Sequence, residues 1–237
     1  MAHHRIELTC EECFDLLDVY VDSELAGEHE AARPADGPAV STRRLQAVAT
    51  ESRRVDVPAA ERAARDLLVA LGADLESPGL AETPRRVAAA YAELLTPEPF
   101  NLTTFPNDEG YDELVVVRDI PFQSLCMHHL LPFHGVAHVA YLPAERIIGL
   151  SKLARVVEHY SRDLQVQERL TKQVAGCIQE HLAPKGVGVV LEAEHLCMSL
   201  RGVQKAGART VTSALHGLVR DDPRTREEFL SLTGGRR

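Results

Sequence analysis

Cys126, Met127, His128 and His129 stand in one unbroken run, and His195, Leu196 and Cys197 form a second run far downstream. Thiolate and imidazole together suit a borderline-soft divalent ion, and a mixed sulfur and nitrogen set fits tetrahedral zinc. Cys126 and His129 are three residues apart and can face one ion from a single turn. In an extended chain, alternation puts His195 and Cys197 on the same side, so Cys197 offers a third ligand. Three protein ligands leave a fourth position for water, the mark of a catalytic zinc site, and zinc lowers the pKa of bound water to about 7. His128 adjoins a proposed ligand but points elsewhere, which leaves it and His195 to move protons near the metal. The alternative reading makes both structural histidines held by backbone carbonyls, and a CxxH run alone does not decide for a metal. His134, His138, His159, His181 and His216 have no such partners and read as structural.

A second set of residues suits an anion. Ser151, Lys152 and Arg155 open a helical pattern, where free amides and the helix dipole favour negative charge. Arg201 and Lys205 follow Cys197 closely, so one pocket can hold both a metal and a phosphate-sized anion; solvated surface charge is the competing account. Gln167 and Glu168 sit at a break between helical stretches. An amide beside a carboxylate matches the edge of a guanine, although by themselves the two would pass for exposed helix residues.

The surrounding periodicities show what must position these groups. Pro58 lies near the start of a helix with Ala60, Ala64, Leu67, Leu68 and Leu71 on one face, ending at Gly72. Thr83 is placed to cap the next helix, with Pro84 in its first turn and Val87, Tyr91 and Leu94 as its apolar stripe. Leu114 to Val117 and Val136 to Tyr141 read as strands. Ser151 to Leu182 reads as two helices or one interrupted helix, closed by Pro184 and Gly186. Strands are expected again at Val187 to Ala193, Cys197 to Arg201 and Thr210 to Leu215, before a short helix around Thr225 to Leu232. The order of elements predicts an α+β domain with an antiparallel sheet. Upstream, Phe14, Leu16, Leu17, Tyr20 and Val21 recur at helical spacing, and residues 27 to 54 have the composition of a linker. The expected organisation is therefore an appendage over 1–54 and a main domain over 55–237.

Bulk composition narrows the class. The chain has 237 residues, 45% hydrophobic and 26% charged, as in ordinary soluble globular proteins. Its net charge of -9 argues against a general binder of nucleic acid or anionic membrane. No run approaches the roughly 18 apolar residues of a membrane span, and no secretory cleavage pattern opens the chain, so a cytoplasmic location is expected. The five cysteines, Cys10, Cys13, Cys126, Cys177 and Cys197, are odd in number and scattered, unlike a secreted disulfide framework. Cys177 falls in an apolar helical pattern and reads as an inert core thiol.

Taken together, LAETPRRVA, SLCMHHLLPFHGVAHVAYLP, IGLSKLARVVE, LQVQERLTKQ, EAEHLCMSLRGVQK, TVTSALHG and TREEFLSL resemble type I GTP cyclohydrolase, in the family's order and over about residues 55 to 237. The resemblance implies the tunnelling fold, in which antiparallel strands and paired helices assemble around a barrel, with a homodecamer of two pentamers and active sites between subunits. It implies one zinc per subunit on Cys126, His129 and Cys197, with His128 and His195 handling protons. GTP would be opened to 7,8-dihydroneopterin triphosphate and formate. Gln167 and Glu168 would anchor guanine, and Ser151 would contact the ribose. Lys152, Arg155 and Arg201 would grip the triphosphate with Arg86 from a neighbouring subunit. One departure is CMHH where the family commonly has CEHH: Met127 removes a carboxylate beside the metal segment and can alter the groups that orient the ligands. The CEEC at Cys10 to Cys13 and the FDLLDVYVDSELAG after it resemble the opening of anti-sigma-factor zinc modules, but the later CxxC is absent. Cys10, Cys13 and His29, with His3 or His4, remain a candidate second metal set beside the alternative of a degenerate appendage.

Two other functions fit less well. A zinc nucleobase deaminase would need HxE and PCxxC elements, which are missing. A catalytically silent nucleotide or zinc sensor would be consistent with Met127 but not with the retention of His128, His195 and the basic residues.

Overall fold

The computed structural model describes residues 55–234 and the backbone of 44–45. The expected helix over Phe14 to Val21, most of the expected linker and the Cys10, Cys13 and His29 set lie outside the described residues. In chain order the elements are β1 (Arg44–Leu45), α1 (Val57–Ala70), α2 (Thr83–Leu95), β2 (Leu102–Pro106), β3 (Val115–Cys126), β4 (Pro132–Leu142), β5 (Arg146–Ile148), α3 (Leu150–Ser161), β6 (Leu164–Gln165), α4 (Gln167–Leu182), β7 (Gly186–His195), α5 (Leu196–Ser199), β8 (Arg209–Gly217), α6 (Leu218–Asp221) and α7 (Pro223–Thr233). The main sheet has the order β6-β3-β4-β7-β8. It is antiparallel throughout except for the short parallel pairing of β3 with β6. A small second sheet, β1-β2-β5, lies beside it, and its first strand comes from the stretch with linker composition.

The two-residue period of the strands sorts the main sheet into two faces. On one face, Ile120 and Phe122 of β3, Phe133, Ala137, Val139 and Tyr141 of β4, and Val187, Val189, Leu191 and Ala193 of β7 are buried. Leu153, Val156 and Val157 of α3 and Leu170, Val174 and Ile178 of α4 pack against them. Each buried Val, Leu, Ile or Phe side chain among them stabilises the fold by about 1.5–3 kcal/mol, so this layer supplies most of the apolar driving force. The other face carries a smaller cluster of Ala140 and Val190 with Val219 and Phe229 from α6 and α7. Gly188 is required there, since an added Cβ would lie 2.8 Å from the Phe229 ring.

Three expectations need correction. Thr83 is not the helix cap: it is the first helical residue, Glu82 occupies the cap position without a side-chain cap bond, and the Glu82 carboxylate instead holds Arg85 at 2.7 Å. Residues 196–199 are a helical turn, not a strand, because β7 ends at His195 and the chain then turns away from the sheet. The apolar stripe of α1 is buried only at Ala64; Leu67 and Leu71 are exposed, Leu71 to 74%. The strands at 102–106, 146–148 and 164–165 carried no clear sequence signal, being short and set by their partners rather than by composition.

Candidate metal centre and substrate cleft

Cys126 is the last residue of β3 and shares the helix-facing side with Ile120 and Phe122. A tight turn follows. The Cys126 carbonyl accepts from the amides of His129 at 3.3 Å and Leu130 at 2.8 Å, and the Cys126 amide donates to Leu131 at 2.9 Å. Leu130 takes a left-handed φ of 55° to close this turn, and the Tyr91 hydroxyl of α2 donates to its carbonyl at 3.0 Å. The Met127 amide donates to the Gln165 carbonyl at 3.0 Å, tying the turn to β6. Cys126 and His129 are thus fixed by backbone hydrogen bonds on both sides of the turn.

The second run arrives across the sheet. His195 ends β7 in register with Phe133 of β4, and its ring stacks on the Phe133 ring at 4.6 Å with an interplanar angle of 1°. The helical turn after it swings Cys197 over the end of β3, where its Sγ lies 4.0 Å from Cys126 Sγ. Convergence of Cys197 therefore comes from a helical turn, and the expected strand alternation with His195 is not what produces it. The Nδ1 of His129 is 3.9 Å from Cys126 Sγ, and one ligand atom from each of Cys126, His129 and Cys197 lies within 4.8 Å of the others. For tetrahedral zinc with ordinary bond lengths, two sulfurs sit about 3.8 Å apart and a sulfur and nitrogen about 3.6 Å apart. The two separations from Cys126 Sγ match those edges to a few tenths of an ångström. Burial, and then the neighbouring Cys126 sulfur, push the Cys197 thiol up from its ordinary range. Donor types and spacing fit a zinc ion.

Against the expectation that it points elsewhere, His128 brings its Nδ1 to 3.7 Å from Cys126 Sγ, and it lines the same cleft of about 240 Å³ as His195, Gln167 and Glu168. Burial holds the His195 imidazole below the ordinary histidine range, partly opposed by the Glu168 carboxylate. Glu168 is exposed, but Gln167 is fully buried, against the expectation of a surface helix residue. Arg201 comes to the metal group as well, with Nη1 3.3 Å from His129 Nε2. Ser151, Lys152 and Arg155 lie at the start of α3 and Arg86 on α2; none of the four lines this cleft within one chain. A larger cleft of about 560 Å³, bordered by Leu94, Phe122 and Arg162, contains none of the ligand set. Cys177 is buried in the core, where desolvation pushes its thiol up to about 11, in line with an inert role. Sequence reasoning missed the Phe133 platform and the Tyr91 tie, because both depend on strand register and helix docking.

An α+β fold gathers two sulfurs and an imidazole that could hold a metal ion at the end of an antiparallel sheet, with two further histidines and a carboxylate around the same cleft, and this is an arrangement suited to a hydrolytic enzyme. GTP cyclohydrolase I is the family whose pattern matches, over residues 60–234. The GTP cyclohydrolase 1 of Synechococcus sp. (strain JA-2-3B'a(2-13)) is 55% identical over 182 residues, covering 75% of this chain and 80% of that protein. That of Thermobifida fusca is 52% identical over 77% of this chain and 91% of its own length, and that of Homo sapiens 48% identical over 86% and 82%. The chain belongs to the GTP cyclohydrolase I family, and its helix-backed antiparallel sheet fits the tunnelling fold. Among the described residues no helix is long and apolar enough to cross a membrane.

Proposed function

We propose that this enzyme converts GTP to 7,8-dihydroneopterin triphosphate and formate, with one zinc per subunit held by Cys126, His129 and Cys197. The observation that carries the reading is the meeting of the CMHH turn and the HLC segment, with sulfurs 4.0 Å apart beside two histidines. Bound there, zinc would supply Lewis acidity and a water acidified to about neutral pH. His128 and His195 flank the cleft and would give and take the protons needed as C8 is hydrated, the C8 to N9 bond breaks and the formamide is cleaved. Two waters are consumed, and one is returned when the rearranged sugar carbonyl closes onto the pyrimidine amine. Glu168 would accept from the guanine N–H edge. Ser151 would hold the ribose as it opens and rearranges.

The cleft of one chain, about 240 Å³, is below the roughly 300–1,000 Å³ of ordinary small-molecule sites. It also lacks Lys152, Arg155 and Arg86. This supports a site completed by neighbouring copies, in which those residues and Arg201 surround the triphosphate. The outer edge of β8 and most of the outer edge of β3 have no strand partner among the described residues. Edges of this kind are normally covered or paired, which supports closure of the sheet into a barrel within a decamer of two pentamers. Incubation of metal-loaded and chelated enzyme with GTP tests the reading. Oxidisable pterin fluorescence and equimolar formate are expected from the loaded form alone. A His128→Ala variant should keep its zinc and lose about 10²-fold or more in turnover. A sensor would bind GTP and release neither product.

A further inference from the structure

The side chain of Gln167, at the start of α4, is 1% exposed and its amide is enclosed by polar atoms. Nε2 lies 3.1 Å from the Leu191 carbonyl oxygen, 3.0 Å from that of Thr210 and 3.1 Å from Thr212 Oγ1. Oε1 lies 2.8 Å from His195 Nε2. Carbonyl oxygens only accept. Exchanging the nitrogen and oxygen of this amide would set an oxygen against two backbone oxygens at hydrogen-bond distance, so the network fixes its orientation. With Oε1 toward His195, the facing ring nitrogen must donate.

The hydroxyls around the amide agree with that assignment. Thr171 Oγ1 is 2.7 Å from the Gln167 carbonyl oxygen and 2.7 Å from Thr212 Oγ1. Each hydroxyl has one hydrogen: Thr171 donates to the Gln167 carbonyl and Thr212 to Thr171, so Thr212 Oγ1 is left to accept from the Gln167 amide, whose two hydrogens are shared among it and the two backbone carbonyls. Turning the His195 ring over would leave it stacked on Phe133 but would put Cε1 in place of the Nε2 that lies 2.8 Å from Gln167 Oε1, losing that hydrogen bond. Its Nδ1 has no hydrogen-bond partner among the described residues.

We propose that Gln167 is a positioning residue that holds His195 as the Nε2–H tautomer and leaves Nδ1 as the nitrogen presented to the substrate. Its amide then has no free donor for guanine, so Glu168 alone of the pair reads that edge. The substrate part of this proposal rests on the GTP reading above; the tautomer does not. The test uses full-length, zinc-loaded enzyme labelled with ¹⁵N-histidine and examined by solid-state NMR at neutral pH, with the His195 signals assigned by difference against His195→Asn. A protonated Nε2 and a bare Nδ1 are expected in the parent enzyme. In Gln167→Met, which keeps the volume but removes both donor and acceptor, the single tautomer should give way to a mixture. The kcat should then fall by about 10²-fold while KM for GTP stays within about twofold. A parent enzyme with the hydrogen on Nδ1 overturns the proposal, and so does a Gln167→Met variant in which KM rises and kcat holds, as loss of a guanine contact would give. The parent spectrum needs no variant, so misfolding of Gln167→Met does not block the test. A parent enzyme that makes no pterin would instead overturn the substrate reading and leave the tautomer result standing.

Discussion

Gly135 offers a way to disturb the site through the sheet without touching a functional side chain. It sits in β4 opposite Ala193 of β7 and two residues from Phe133, the platform for His195. A Cβ added at Gly135 would lie 1.9 Å from the Glu192 carbonyl oxygen and 2.7 Å from the Ala193 Cα. A carbon and an oxygen in contact sit about 3.3 Å apart, so Gly135→Ala must part the strands locally by about 1.4 Å. Ladder hydrogen bonds do not survive such a stretch. Losing two of them in a buried sheet costs about 3–6 kcal/mol once the unsatisfied groups are counted, or about 10 °C or more in melting temperature for a domain of this size. The same shift reaches His195, and a misplacement of about 1 Å at a reacting group can cost about 10²-fold in rate. Gly176→Ala is the control, because an added Cβ there, on α4, meets nothing within 4 Å and alanine favours the helix by about 0.5–1 kcal/mol. Differential scanning fluorimetry with a formate-release assay should show Gly135→Ala impaired in both respects and Gly176→Ala in neither. If the two variants behaved alike, the close contact between β4 and β7 would not be the constraint claimed.

Two further outcomes are expected. Met127 is exposed beside the metal turn; Met127→Glu should leave zinc stoichiometry unchanged and alter formate release by about tenfold or more if this position tunes the ligands through their surroundings, whereas equal rates would show it to be neutral. Burial holds the imidazoles of His138 and His159 below the ordinary histidine range, against weaker opposing pulls from Asp119 and from the Glu98 carbonyl. The unfolded chain then binds these protons first as pH falls, so stability is complete above about pH 6.5 and declines below it toward the lowered folded values. Thermal melts between about pH 7.5 and 5 should show that decline, with a shallower slope in a His138→Gln/His159→Phe double variant; identical slopes would remove these two residues as its cause.

Much of the site was legible because its chemistry is local in sequence. Cys126 and His129 lie within one turn, Gln167 and Glu168 fall at a break between helical stretches, and β-branched content marks the start of the strand that ends at Cys126 and most of the strand before Leu196. Short elements were not legible. Leu102–Pro106 and Arg146–Ile148 become strands by pairing with each other, and the former also with Arg44–Leu45, and Leu196–Ser199 becomes helical only where β7 leaves the sheet. Thr83 had the right chemistry for a cap, but the preceding turn gave that position to Glu82.

The sequence by itself determined the donor types and the family, since both are properties of residue order. Only the tertiary structure decided that Cys197 lies 4.0 Å from Cys126, that Phe133 backs His195, and that the Gln167 amide faces inward to two backbone carbonyls. Those facts depend on strand register and helix docking, which are fixed by the packing of the whole buried face, and no local stretch of chain encodes them.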